Sequence, residues 1–209
     1  VLRGDQVVIV HGGGTQATQL QQRLGLTPHV VAGRRITDAQ TLHVMKMTIA
    51  GEVNVDLCAL LVAAGNRPVG LHGASGPLVR AHRRPPTFVP GGPASPIDLG
   101  LVGDVEYFDL QLLRHLMAGQ YIPVVACLGC DPRTGQVFNI NADVVASKLA
   151  VAVHAYLLVL TTNVAGVLRD ITDPGTCISS LTREQAAQAI ANGEIRGGMI
   201  PKVEEAFKV

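Results

Sequence analysis

Tryptophan is absent from this sequence of 209 residues, and aromatic residues make up only 3% of it. Charge is scarce as well, at 16%, and nearly balanced, with 17 Lys and Arg against 16 Asp and Glu and a formal net charge of +1. A balanced chain has no bulk field to draw in polyanions or anionic lipid, so neither nucleic acid nor a membrane is expected as a partner. Long apolar runs are also missing. Residues 156–160 form one of the longest, far short of the ~20 residues that a spanning helix needs. No signal peptide is visible, because the chain enters a short polar stretch and then a strand. Four cysteines in a chain of this size do not make a disulfide framework, and the protein is therefore expected to be cytoplasmic.

What is present is apolar content for a sizeable core, at 47%, with 23 glycines and 12 prolines to serve many turns. Short apolar runs alternate with helical patterns. Residues 7–10 read as a buried strand and 15–24 as a helix stopped by Gly25. Thr37 and Asp38 offer an N-cap for a long helix to about Ala64, with apolar positions Leu42, Met45, Ile49, Val53, Leu57 and Leu60 recurring at three or four. Strands are expected over 68–71, 122–126 and 156–161. Further helices are expected over 109–118 and 141–153, and one is opened by a capping box of Thr182 and Gln185. Alternating strand and helix, with strands apolar on both faces, predict an α/β fold with a mostly parallel sheet covered on both sides. The Pro- and Gly-rich segment 84–98 reads as a loop. The basic cluster 80–84 reads as a solvated loop. There is no internal repeat.

Four loops could carry chemistry. In His11-Gly12-Gly13-Gly14, between a strand and a helix, backbone N–H groups could converge on an anion at the positive end of the helix dipole. The spacing is neither GxGxxG nor a Walker motif, and a tight turn with close packing remains the alternative. Asn139-Ile140-Asn141-Ala142-Asp143 holds more polarity than a helix cap needs. Arg196-Gly197-Gly198-Met199-Ile200-Pro201-Lys202 puts a cation at a helix start, which suits an anion bound there; the alternative is a solvated surface lysine. In Gly33-Arg34-Arg35-Ile36-Thr37-Asp38 an Arg suits a bidentate grip on a carboxylate, against an ion pair with Asp38. Cys127 and Cys130 form a CxxC with no further zinc ligands in sequence and a turn, not a helix, after it; they read as structural, as does His11. Glycine turns, a Lys, an Arg and an organising Asp suit phosphoryl transfer, where the protein chiefly positions groups and neutralises charge.

The ordered set HGGG, GRRITD, FNINAD, LTTNVAGVL and GGMIPK resembles the amino acid kinase family over nearly the whole chain. Within it, the resemblance is greatest to the members that phosphorylate the side-chain carboxylate of N-acetyl-L-glutamate in arginine biosynthesis. The resemblance implies a single αβα sandwich over 1–209, with an acyl amino acid half to about residue 126 and a nucleotide half from about 127. It implies that Gly13 and Gly14 face the reacting carboxylate and the transferring phosphoryl group, that Arg35 holds the α-carboxylate of the substrate, and that Asn139 binds substrate as well. Asp143 would orient the catalytic lysine and the glycine turns, and Lys202 would stabilise charge on the phosphoryl group in flight. Gly12, Thr162, Asn163, Gly166, Arg196 and Gly198 would touch the nucleotide. ATP is the implied donor, with Mg2+ carried by the nucleotide and no dedicated protein cage, and a homo-oligomer, dimer or higher, is expected. Related kinases for acetylated or carrier-bound α-aminoadipate in lysine biosynthesis would share nearly all these loops, and a non-catalytic arginine-sensing paralogue is an alternative of another class. Family members open on a strand bearing a Lys and a glycine pair, and continue with strands after the second lysine. This sequence is therefore expected to be truncated at both ends and, if complete, catalytically impaired. Asn163 stands where many relatives carry Asp.

Overall fold

The computed structural model describes residues 4–89, 92–164, 166–170, 172–196 and 199–207, which form two compact units, Val1–Val145 and Ala146–Val209. The first is built on a parallel sheet of β1 (Ile9–His11), β7 (Ile122–Ala126) and β4 (Pro68–Leu71), with β7 in the middle. Ile9 pairs with Val124 on one side, and Gly70 on the other. Every residue of β7 is buried, which is the expected signature of a strand covered on both faces.

Helix α1 (Gly14–Arg23) follows β1 directly. A continuous helical stretch then runs through α2 (Ala39–Met45), a π-helical segment (Lys46–Val53) and α3 (Asn54–Ala63). Its cap is the one expected: the Asp38 carboxylate accepts from the Thr41 N–H at 2.7 Å. Helix α3 packs against β4 and β7, and α4 (Leu110–Ala118), capped by Asp109, packs against β7. Leu42, Met45 and Ile49 are buried as the 3.6-residue period predicts, but Leu60 is 68% exposed. The π segment explains the difference. Its i→i+5 turns hold more residues than an α-turn, so the face turned inward shifts and a polar residue, Asn54, becomes buried.

A second sheet is ordered β6 (Gly103–Phe108), β5 (Val79–Arg83), β8 (Leu128–Cys130), β9 (Val137–Asn139), with antiparallel β5–β6 and β8–β9 pairs. A two-stranded ribbon joins β2 (Val30–Val31) to β3 (Arg34–Arg35). The basic cluster is thus a strand and not a loop. Val79 and Ala81 are buried while Arg80 and His82 between and after them are not, a period-two alternation that ends at the exposed Arg83. Its arginines are each matched to a carboxylate: Arg80 to Asp109, Arg83 to Asp98 and Arg84 to Asp104.

The second unit contains most of α5 (Ala142–Ala152), together with α6 (Arg183–Ala191) and α7 (Met199–Ala206). The capping box of Thr182 and Gln185 opens α6 as expected. Ala186, Ala189, Ile195 and Val203 form its core, with Leu181, Met199 and Phe207 packed against them. The strand expected over residues 156–161 is not formed. Tyr156, Leu157 and Val159 are exposed, and no described strand pairs with them; an extended segment without a hydrogen-bonded neighbour does not become a strand. No helix among the described residues is long and apolar enough to cross a membrane.

Candidate active site

β1 delivers the chain to the glycine turn. Gly13 is the N-cap of α1, and Gly14 its first residue. A Cβ on Gly13 would lie 3.0 Å from Cγ1 of Ile49 and 3.4 Å from Cγ2 of Val53, so this turn is pressed onto the π-helical segment. Gly14 has open space where a side chain would be. The turn is therefore tight on its inner side and clear on its outer one, and it sits at the positive end of a ten-residue helix.

Arg35, on β3, is tied to that helix three times. It donates to Oε1 of Gln21 at 2.5 Å, to Oγ1 of Thr18 at 2.6 Å and to the carbonyl of Gly14 at 3.2 Å. Gln21 is itself buried and donates to Thr41. The ion pair with Asp38 is not the arrangement found, since the Asp38 carboxylate is committed to its cap. Hydrogen bonds from Thr41 hold that carboxyl below its ordinary value. Burial draws the Arg35 guanidinium down from its usual pKa. A guanidinium stays protonated through such a shift, and it makes a directional donor for carboxylates.

The three polar residues of the 139–143 stretch have three different surroundings. Asn139, at the end of β9, donates to Oγ1 of Thr37 at 3.2 Å. Thr37 is fully buried two residues beyond Arg35. Asn141 is the cap: its Oδ1 accepts from the Val144 N–H at 3.1 Å. Asp143 lies half-buried in the first turn of α5. Its neighbour Ala142 lies 3.5 Å from where a Cβ on Gly12 would be, and its charge is felt at Cys127, whose N–H donates to the His11 carbonyl at 3.2 Å. Arg35 thus touches the glycine turn directly, whereas Asn139 is linked to the Arg35 segment through Thr37, and Asp143 to the turn through its neighbour Ala142. The Cys127 thiol is buried and pushed up to about 12, so it stays protonated at neutral pH and is a poor nucleophile.

In the second unit, Thr162 and Asn163 are exposed on an irregular segment, and Gly166 precedes an antiparallel bridge between Leu168 and Cys177. Arg196 is exposed and donates through Nε to the carbonyl of Gly193. Lys202 is half-buried on α7. Gly198 lies outside the described residues. Sequence reasoning did not single out Thr18 and Gln21, which hold Arg35, or Asn54, which donates to His11 at 2.8 Å. Asn54 had one signal, as the only amide of α3, whose sole charged residue is Asp56.

The profile of the amino acid kinase family matches residues 1–209. The acetylglutamate kinase of Anaeromyxobacter dehalogenans strain 2CP-C is 58% identical over 205 residues, covering 98% of this chain and 76% of that protein. The acetylglutamate kinase of Sorangium cellulosum strain So ce56 is 55% identical, covering 98% of this chain and 72% of that protein. Among solved structures, that of smu.665 from Streptococcus mutans UA159 superposes with a TM-score of 0.83 at 30% identity, over 99% of this chain and 78% of the other. A family profile over the full sequence, close relatives aligned almost end to end and a shared fold lead to one conclusion: this chain belongs to the amino acid kinase family.

Proposed function

We propose that this protein is an acetylglutamate kinase, transferring the terminal phosphoryl group of ATP to the side-chain carboxylate of N-acetyl-L-glutamate to give N-acetyl-L-glutamyl 5-phosphate, a step of arginine biosynthesis. The observation that carries the reading is the 58% identity to a relative of that name across 98% of the chain. The local geometry supports it. A carboxylate acceptor is already ionised at neutral pH and needs no general base. What the reaction needs is positioned donors and cations, and these the loops provide.

We assign the roles as follows. Gly13 and Gly14 offer backbone N–H groups to the reacting carboxylate and the phosphoryl group. Arg35 grips the α-carboxylate of the acyl amino acid, and Asn139 binds it from β9. Asp143 orients the glycine turn and the catalytic lysine, and Lys202 neutralises charge on the phosphoryl group in flight. Gly12, Thr162, Asn163, Gly166, Arg196 and Gly198 contact the nucleotide. The acyl amino acid half runs to about residue 126 and the nucleotide half from there to residue 209. Mg2+ would be carried by the nucleotide, held by its phosphates and by water. A cytoplasmic location fits a substrate and donor of central metabolism. Self-association is supported by Val55, Leu60 and Val62 of α3, three large apolar side chains each more than 60% exposed. Coupled measurement of ADP release with N-acetyl-L-glutamate tests the activity, and sedimentation of the intact protein tests the oligomer.

A further inference from the structure

Asn54 is a buried amide at the start of α3, 5% exposed, and the function above gives it no part. Its Nδ2 lies 3.0 Å from the carbonyl of Val124 in β7 and 2.8 Å from Nε2 of His11. A backbone carbonyl can only accept. The Val124 contact therefore fixes which end of the amide faces it, and the NH2 group spends its two hydrogens on Val124 and on His11. Nε2 of His11 must then carry a lone pair, and the proton of the neutral ring sits on Nδ1. Nδ1 lies 2.9 Å from the carbonyl of Gly12 and donates to it. Burial pushes the imidazole below its ordinary pKa, which keeps it neutral.

Gly70 on β4 makes this arrangement possible. A Cβ there would stand 2.1 Å from Oδ1 of Asn54, so any other residue would displace the amide. The Gly12 carbonyl belongs to the peptide linking Gly12 to Gly13. In a planar trans peptide the N–H points opposite to the C=O. Holding that carbonyl on the imidazole sends the Gly13 N–H to the side away from the ring.

We propose that Asn54 is a positioning residue for the phosphoryl-transfer site. It selects the Nδ1–H tautomer of His11, His11 anchors the Gly12 carbonyl, and the Gly13 N–H is thereby fixed toward the transferring group. The catalytic consequence rests on the kinase reading, whereas the tautomer does not. The same logic appears where the hydrogen bond on one imidazole nitrogen sets the role of the other.

Asn54→Asp separates this role from simple packing. A carboxylate accepts from Nε2, so a neutral His11 would carry its proton there and turn the Nδ1 lone pair onto the Gly12 carbonyl. Only the imidazolium satisfies both of the ring's contacts, and the Val124 carbonyl loses its donor at every pH. In this variant kcat should therefore fall as pH rises through the His11 pKa, a limb absent from the wild type. The other titratable groups around this network are the thiols of Cys58 on α3 and Cys127 after β7, both held protonated by burial, the carboxylate of Asp143 on α5, which acts on Cys127, and His72 after β4, which lines the same cavity as Asn54. Asn54→Leu should lower kcat on the order of a hundredfold, the scale of a misplaced catalytic group, with a smaller change in KM.

The deciding measurement is the 15N spectrum of the His11 ring in the intact wild-type protein. The expected result is a protonated Nδ1 and an unprotonated Nε2, with mixed tautomers in Asn54→Leu. A protonated Nε2 in the wild type would overturn the proposal, as would unchanged kcat and an unchanged ring spectrum in a folded Asn54→Leu. If the wild type shows no kinase activity, the kinase reading fails and the ring spectrum still decides the tautomer.

Discussion

The guanidinium of Arg35 donates to the carbonyl of Gly14 at 3.2 Å. The residue expected to hold the substrate and the glycine expected to face the reacting groups are thus in direct contact. Helix α1 is the common support. Thr18 and Gln21, one and two turns into it, fix the same side chain.

Arg35→Ala should mainly raise KM for the acyl amino acid, by about ten- to a hundredfold, the worth of a charge-assisted hydrogen bond pair. The KM for ATP should stay near the wild-type value. Steady-state kinetics with each substrate varied in turn checks this, and a shift carried by ATP instead would reverse the assignment of the two halves.

Lys202→Ala should lower kcat by about 10²–10³-fold, as loss of one charge-stabilising donor does, with less effect on either KM. A near-normal kcat would remove Lys202 from the mechanism. The contrast with Arg35 is the useful part. A group that acts on charge developing in flight changes kcat, whereas one that grips the bound substrate changes KM.

Gly13→Ala tests the fit of the glycine turn against the helix behind it. The added methyl would meet Cγ1 of Ile49 at 3.0 Å. Overpacking of this kind costs about 1–3 kcal/mol, and it should also displace the turn, so activity should fall more than stability. Gly14→Ala meets open space and should leave stability close to wild type. Thermal unfolding of the two variants side by side provides the comparison.

Stability should depend on His11 in a defined direction. Its folded pKa lies below the ordinary 6.5, chiefly through burial. The unfolded chain therefore takes up a proton first as pH falls. The stability contributed by the neutral ring is present above about 6.5 and is lost as pH drops through the folded pKa. Denaturant midpoints measured between about pH 5 and 7 should fall with acid in the wild type, and fall less steeply in His11→Asn.

Much of this was legible in the sequence. Period and caps placed β4, β7, α4 and the long helix to within a residue or two, because those segments are bounded by Asp38, Asp109 and glycines that leave few alternatives. A cap for α5 was expected somewhere in 139–143, and Asn141 carries it. The π-helical turn could not be read, since no residue type announces it, and so Leu60 was placed inward and Asn54 was missed. The strand at 79–83 was hidden by its arginines, whose carboxylate partners Asp109 and Asp98 lie far along the chain. The apolar run at 156–161 reads as a strand from composition, but a strand depends on a neighbour that composition does not specify. The glycine turn was ambiguous alone. The fold adds its setting, through contacts at long range from Ile49 behind it and Arg35 beside it.

The central claim is the reaction itself, and ADP release by the intact protein with MgATP tests it most directly, with N-acetyl-L-glutamate and N-acetyl-L-α-aminoadipate compared as acceptors. The account predicts turnover with both or with the first alone, and a kcat/KM at least about tenfold higher for N-acetyl-L-glutamate, the discrimination that one methylene permits. Turnover with the aminoadipate derivative, or with another acceptor, and none with N-acetyl-L-glutamate would contradict it.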